Sequence, residues 1–514
     1  MKSIDRRRFL ALTAATATLP SLKLFAQSPA HTATLKLHPD QPGAHVPANF
    51  IGLSYETNQL TDPTFFSPEN TGLIAQFLAL APHGVLRIGG NTSDIGWWKP
   101  TPDSKAPTIH VGGTGVGEPT SALAYPITPQ AIHNLRAFLD HTGWTCIYGI
   151  NLGTNTPARA AEEAVVVHET LGSATEGGKL EYFQLGNEPD LFKNHLRDPK
   201  TWSVNPYLDE WLAEADAIRA RVPSARFGLP DVASNAEWFS TIAIRLPATP
   251  NHPHIAAVSH HYYIGGPPSN PNMTIQRILA PDPRVAQVAA LVHAAGAKLD
   301  APYRMTEGNT CFRGGKPGVS DVFAASLWAA DYLLHLASLG YAGVNLHGGD
   351  GKAVGNSLGG HLPGDDIVLA EHGDPTKHPH PYYTPIAHIG DDYLLEPVAY
   401  GMLFAGHFAG ATMLPLDFNP GPVNATAYAA LLPTGKLLLA IINKDASASL
   451  ETHIPNHHSV VVHQLTAPAL TSTDVTFDNH GSNGSEKVIP LTDGHVRIVL
   501  APATAALYEL DAQA

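Results

Sequence analysis

The sequence predicts a (β/α)8 barrel followed by a C-terminal antiparallel β-sandwich that also takes in the first strand of the chain. Between residues 50 and 347, eight short apolar runs are separated almost throughout by amphipathic stretches with helical spacing. Strands alternating with helices imply a parallel sheet, and eight such units suggest a closed barrel. Five of the eight runs end on Glu, Asn, Tyr or His, and two more pass through Gly into Asn at Gly89-Gly90-Asn91 and Gly186-Asn187. Such polar strand ends suit the C-terminal face of a barrel, where active sites are built. After about residue 405 the pattern changes to short alternating strands with turn residues, which reads as a sandwich.

The chain opens on a targeting segment. Asp5-Arg6-Arg7-Arg8-Phe9-Leu10 leads into an Ala/Thr/Leu-rich run and then Leu24-Phe25-Ala26 before Gln27. A basic region, a short apolar region and a small residue before a cut describe an export signal. Paired arginines followed by Phe-Leu resemble the twin-arginine type, which implies a periplasmic or extracellular destination. The apolar run is too short to span a membrane. Residues 1–26 are therefore set apart from the fold, and residues 27–45 supply a strand, Thr32–Leu37, that has no helix partner and joins the sandwich.

The barrel is expected over residues 46–405. Its strand-like runs are Phe50–Glu56, Val85–Ile88, Thr145–Asn151, Glu181–Leu185, Arg226–Leu229, Ala257–Tyr263, Tyr303–Glu307 and Ala342–His347. Helical spacing marks Thr71–Leu80, Pro129–His141, Pro157–Leu171, Asn205–Val222, Asn235–Arg245, Arg284–Leu299 and Ser320–Leu339. A long Gly-, Pro-, Asp- and His-rich stretch at 348–381 follows the eighth strand and is expected over the barrel mouth, where long loops are functional or mobile. The sandwich, 406–514, is read from Leu437–Asn443, Ser459–Leu465 and His495–Val499.

The formal net charge of −14 argues against a nucleic-acid partner and against an anionic membrane surface. An anionic substrate would need a local cluster of donors. The two cysteines, Cys146 and Cys311, fall in strand-like positions and are expected as buried free thiols. His372, His378, His380 and His388, with Asp365 and Asp366, have no ligand spacing on a helix and read as solvated loop residues; no metal and no cofactor is expected.

Two carboxylates stand out. Glu188, in Gly186-Asn187-Glu188-Pro189, follows the fourth strand, and Glu307 closes the seventh run. Two carboxyls about 5–5.5 Å apart are what double-displacement cleavage of a glycosidic bond needs. Either glutamate alone reads as half of a structural ion pair. Together, at opposed positions of an eight-unit barrel, they read as Glu307 the nucleophile and Glu188 the acid/base, with Asn187 placed to bind a sugar 2-hydroxyl.

Leu-Gly-Asn-Glu-Pro-Asp at 185–190 and Thr-Glu-Gly-Asn-Thr-Cys-Phe-Arg-Gly-Gly at 306–315 resemble glycoside hydrolase family 79, which holds β-glucuronidases and heparanase. Leu86–Gly90, His260–Tyr263, Val344–Gly349 and the helix opening Ser320-Asp321-Val322-Phe323 match it too. The resemblance covers most of the chain after the leader. It implies a retaining barrel whose acid/base and nucleophile follow the fourth and seventh strands, with β-linked glucuronic acid in the cleaved position. It further implies Glu56 and Asn91 as partners of sugar hydroxyls, and backbone donors around Gly314 plus a tyrosine for the uronate carboxylate. A nest of N–H groups binds an anion without a cation, which reconciles the acidic chain with an anionic sugar. The tyrosine expected is Tyr383, with Tyr382 as the alternative. Phe312 and Arg313 stand where animal heparanases have Tyr and Gly, so a phenol is missing and Arg313 either adds charge or points away. Tyr263 borders Glu307 or is an ordinary rim tyrosine, and His347 shapes the sugar pocket. The expected activity is release of terminal β-glucuronic acid. The alternatives are endo-acting cleavage, a neutral β-glycosidase, and a sugar-binding barrel without catalysis.

Overall fold

A computed structural model describes residues 30–109, 125–357, 380–455, 460–477, 485–487, 491–492 and 495–510. The leader and the segment carrying Asp365, Asp366, His372 and His378 lie outside the described residues. Eight parallel strands close the barrel: β1 (Ile51–Glu56), β2 (Val85–Gly89), β3 (Thr145–Ile150), β4 (Leu180–Leu185), β5 (Phe227–Val232), β6 (Ile255–Gly265), β7 (Tyr303–Cys311) and β8 (Val344–His347). The surrounding helices are α1 (Thr71–Leu80), α2 (Pro129–Thr142), α3 (Pro157–Leu171), α4 (Val204–Arg221), α5 (Trp238–Ala248), α6 (Arg284–Leu299), α7 (Phe323–Ser338) and α8 (Pro397–Gly406).

Local chemistry explains the alternation. In α2, the Thr128 hydroxyl accepts the Ala131 N–H, Pro129 starts the helix, and Gly143 ends it at φ 74°. These are the residues that satisfy helix termini. The buried face carries Ile132, Leu135, Phe138 and Leu139. Phe138 meets Phe77 of α1 edge-on at 5.0 Å, and Phe77 packs on Trp144 at 4.7 Å. The Trp144 indole N–H donates to the Ala81 carbonyl at 3.0 Å. Gly84 is required beneath it, because a Cβ there would lie 2.6 Å from the indole.

Three strands run well past their sequence patterns, β6 gaining two residues at each end as Ile255–Gly265. β5 continues through Pro230 to Val232, so a residue that reads as a strand breaker is followed by Asp231, which faces the site. β7 does not end at Glu307. Its pairing with β6 continues from His261 and Glu307 to Gly265 and Cys311, raising a two-stranded extension above the barrel. Both cysteines are free and buried.

Antiparallel sheets beyond residue 411 form the sandwich, whose core holds Leu439, Ile441, Ala506 and Tyr508 from one sheet and Leu450, Ile454, Val496 and Ile498 from the other. The early strand joins it: Thr34–Leu37 pairs antiparallel with Leu416–Asn419. After β8 the chain forms a short helix, Gly351–Ser357, and the hairpin Ile386–Leu395. His388 on that hairpin is no solvated loop residue. Its ring stacks on Tyr393 at 4.4 Å, beside Asp350. His380 lies 3.8 Å from Glu396. No helix among the described residues is long and apolar enough to cross a membrane.

Candidate active site

The turn after β4 presents Glu188. Gly186 takes φ 78°, and Glu188 itself sits in the left-handed region at φ 48°. For a non-glycine residue this costs on the order of 1–3 kcal/mol and persists only where surroundings over-determine it. The constraints are visible. The Asn187 N–H donates to Asp94 at 2.9 Å, and the Glu188 N–H donates to the Asp231 carbonyl at 3.1 Å. Asp190 accepts the N–H groups of Ala233, Ser234 and Asn235, clamping the turn to the loop after β5. The Asn-Glu-Pro-Asp run is thus a scaffold for one carboxyl group.

Glu307 is held from two sides. Arg87, fully buried, donates to its Oε2 at 2.6 Å, and the Tyr263 hydroxyl donates to its Oε1 at 2.8 Å. Arg87 is itself fixed by Gln184 at 3.0 Å, Ser54 at 3.0 Å and Asn187 at 2.7 Å. This accounts for the Arg-Ile-Gly-Gly run. A Cβ at Gly89 would fall 2.2 Å from the guanidinium, and one at Gly90 would fall 2.4 Å from Glu56.

His261 joins the two carboxyls. Its Nδ1 lies 2.9 Å from Glu188 and 3.9 Å from Glu307, and its Nε2 lies 3.7 Å from Asp231. A carboxylate oxygen of Glu188, one of Glu307 and a ring nitrogen of His261 all fall within 4.8 Å of one another.

The electrostatics separate the pair. For Glu307, burial alone would raise the pKa. His347, His261 and Arg87, together with the Tyr263 hydrogen bond, outweigh it and hold the carboxyl well below the usual range. For Glu188, burial is again the largest effect, and here it wins; the Glu307 charge adds to it, and His261 only partly offsets it. Burial pulls His261 down, but Glu307, Asp231 and Glu188 lift it to about 9. Near neutral pH the site therefore holds an ionised Glu307 beside a Glu188 disposed to carry a proton, the separation that divides nucleophile from acid.

A cavity of about 480 Å³ opens above this pair. Glu56, Asn91, Tyr263, Phe312, His347 and Tyr383 line it with both glutamates, and so does Arg313. Of the two tyrosines, Tyr383 is the one on the wall. The Gly314 backbone lies near its hydroxyl and partly offsets the burial that pushes this phenol well up, within a turn whose residues 313, 314 and 315 all take positive φ. Gly314 itself is not on the wall. Asn187 is 4% exposed and sits behind it, its oxygen on Arg87 and its amide 3.3 Å from Asn91. Glu56 is anchored by the Thr92 N–H at 3.0 Å and hydroxyl at 2.7 Å, its other oxygen 3.6 Å from His347. Val354 and Ser357 of the helix after β8 also line it, so part of the 348–381 stretch faces the mouth.

Three residues that organise the site escaped the sequence reading. Arg87 and His261 lie in the quoted Leu-Arg-Ile-Gly-Gly and His-His-Tyr-Tyr runs, and the signal was a charged group inside an otherwise apolar strand. Asp231 follows Pro230 and gave none. Replacing Arg87 by Met leaves Glu307 buried without its guanidinium. The cost is about 3–5 kcal/mol of stability, as for other broken buried pairs, and urea unfolding measures it.

No family model matches the chain. A curated relative named β-glucuronidase, from Aspergillus niger, is 28% identical over 336 residues, 60% of this chain and 60% of the relative. Another of that name, from Neurospora crassa, is 27% identical over 314 residues, 56% of this chain and 53% of the relative. The chain thus spans little more than half the length of the curated relatives it matches. Among solved structures, a 4-O-α-L-rhamnosyl-β-D-glucuronidase from Fusarium oxysporum superposes with a TM-score of 0.65 at 18% identity, covering 93% of this chain and all of that one. A family 51 arabinofuranosidase from Xanthomonas axonopodis gives 0.63 at 16% identity, covering 94% and 100%. The likeness to family 79 drawn from the motifs agrees with the two curated relatives, and the fold is the barrel and sandwich of these glycosidases.

Proposed function

We propose that the protein is a retaining β-glucuronidase that releases terminal β-linked glucuronic acid. The observation that carries the reading is the pair of carboxyls, Glu188 and Glu307, with oxygens within 4.8 Å and opposite displacements of their pKa values. Such a close approach suits direct attack by a carboxylate better than the spacing of about 6.5–9.5 Å that an inverting enzyme keeps for its water. Glu307 attacks the anomeric carbon while Glu188 protonates the departing oxygen. Glu188, now ionised, then takes a proton from water as it displaces Glu307 from the sugar. Arg87 and Tyr263 keep the nucleophile oriented, and His261 holds the acid/base. Glu56, Asn91 and His347 are the partners for sugar hydroxyls. Asn187 reaches the 2-hydroxyl only with an amide hydrogen, because its oxygen is committed to Arg87.

Specificity for a uronide rests on Tyr383 and the turn below it, supported by the names of the curated relatives. Burial pushes the Tyr383 phenol well up, so it keeps its proton to donate to a carboxylate. Export by the arginine-containing leader fits an enzyme that acts on glycans outside the cell. The test compares aryl β-glucuronide with aryl β-glucoside. Hydrolysis of the glucuronide at far higher kcat/KM is expected, whereas preference for the glucoside defeats the uronide claim, and silence on both favours a sugar-binding barrel. Tyr383→Phe raises KM for the glucuronide about 10- to 100-fold, the worth of a hydrogen bond to a charged group.

A further inference from the structure

We propose that the face opposite the barrel mouth carries a site for one divalent transition-metal ion of the zinc class, built from His407, His463 and Glu509 and joining barrel to sandwich. His407 follows α8 at its C-terminal cap. Barrel helices return the chain to the N-terminal ends of the strands, so this end lies away from the catalytic mouth. His463 and Glu509 come from the neighbouring antiparallel strands Val460–Thr466 and Thr504–Leu510. His463 pairs with Leu507 and Val461 with Glu509. His463 and Glu509 are therefore diagonal neighbours on one face. Leu507 of that face belongs to the core shared with Phe404 and Phe408 of the barrel.

The geometry fits a shared cation. One donor atom from each of the three side chains falls within 4.8 Å of the other two. The His463 Nε2 lies 3.6 Å from Glu509 Oε1. That is long for a hydrogen bond and close to the edge of a tetrahedron about 3.3 Å long that zinc–nitrogen and zinc–oxygen bonds of about 2.0 Å generate. The rings of His407 and His463 are 4.8 Å apart, and Phe477 stands 5.7 Å from the first and 6.3 Å from the second, an apolar wall on one side. His407 is part-exposed, at the C-terminal cap of its helix. Two imidazoles and one carboxylate suit zinc and leave a fourth position for water. Lys436 touches the other carboxylate oxygen at 3.4 Å and is 44% exposed, so Oε1 stays available and the ammonium can move into solvent.

The test uses the untagged chain, stripped with chelator and equilibrated with Zn²⁺ alone. One zinc per chain by elemental analysis and a rise of about 3 °C in thermal midpoint are expected, the shift following from mass-action stabilisation. His407→Ala and Glu509→Gln, both shown to be folded by near-ultraviolet circular dichroism, lose the bound zinc and the shift. Substoichiometric zinc in the wild type overturns the proposal. So does zinc that survives both variants but is lost in Glu188→Gln, since it would then sit on Glu188, His261 and Glu307. None of these readouts depends on glucuronide hydrolysis, so the site stands or falls apart from the proposed activity.

Discussion

Replacing Glu307 by Gln lowers kcat/KM on an aryl β-glucuronide by at least about 10⁴-fold, the scale on which removal of a covalent nucleophile is felt. The exchange is nearly isosteric. The new amide oxygen still accepts from Arg87 or Tyr263, so the fold survives and the loss is chemical. The reason is charge: His347, His261 and Arg87 surround this carboxylate and keep it ionised, whereas a neutral amide oxygen is a far weaker nucleophile and cannot form the glycosyl ester. A variant with full activity would remove Glu307 from the mechanism. Steady-state kinetics with circular dichroism as the folding control decides it.

Glu188→Gln is expected to cost about 10²- to 10⁴-fold, the range for general acid/base groups, and its signature is dependence on the leaving group. An aryl group of low pKa departs without protonation, so the first step is largely spared and the loss moves to hydrolysis of the intermediate, where water has lost its base. A poor leaving group loses both steps. Azide, which needs no base, restores turnover with the activated substrate only. The pH profile carries the same information. Wild-type activity falls on the alkaline side as Glu188, raised by burial and by the Glu307 charge, loses its proton. It falls on the acid side only as Glu307, held low, gains one. Glu188→Gln loses the alkaline limb. Equal losses for good and poor leaving groups, with that limb unchanged, would argue against the assignment.

Much of the architecture was legible because barrel strands and helices carry strong, local signals. Apolar runs closed by Gly or Pro, and capped helices such as the one opening Thr128-Pro129, state their own ends. Glu188 and Glu307 were legible for the same reason, as polar interruptions beside strand-ending residues. The extensions of β5 and β7 were not. Their ends are set by pairing with β6, a non-local contact, and Pro230 inside β5 contradicts the local rule. Arg87 and His261 show a second limit. Each lies on a strand whose pattern promises core, and only closure of the barrel turns Arg87 onto Glu307 and His261 between Glu307 and Glu188. Tyr383, expected ahead of Tyr382, lies on the cavity wall, whereas Tyr382 does not line it.

The central claim is double displacement through Glu307, and the anomer formed first tests it most directly. Proton nuclear magnetic resonance during hydrolysis of an aryl β-glucuronide should show β-glucuronic acid appearing first, with the α-anomer growing in by mutarotation. The α-anomer appearing first would mean inversion by water and would contradict the account.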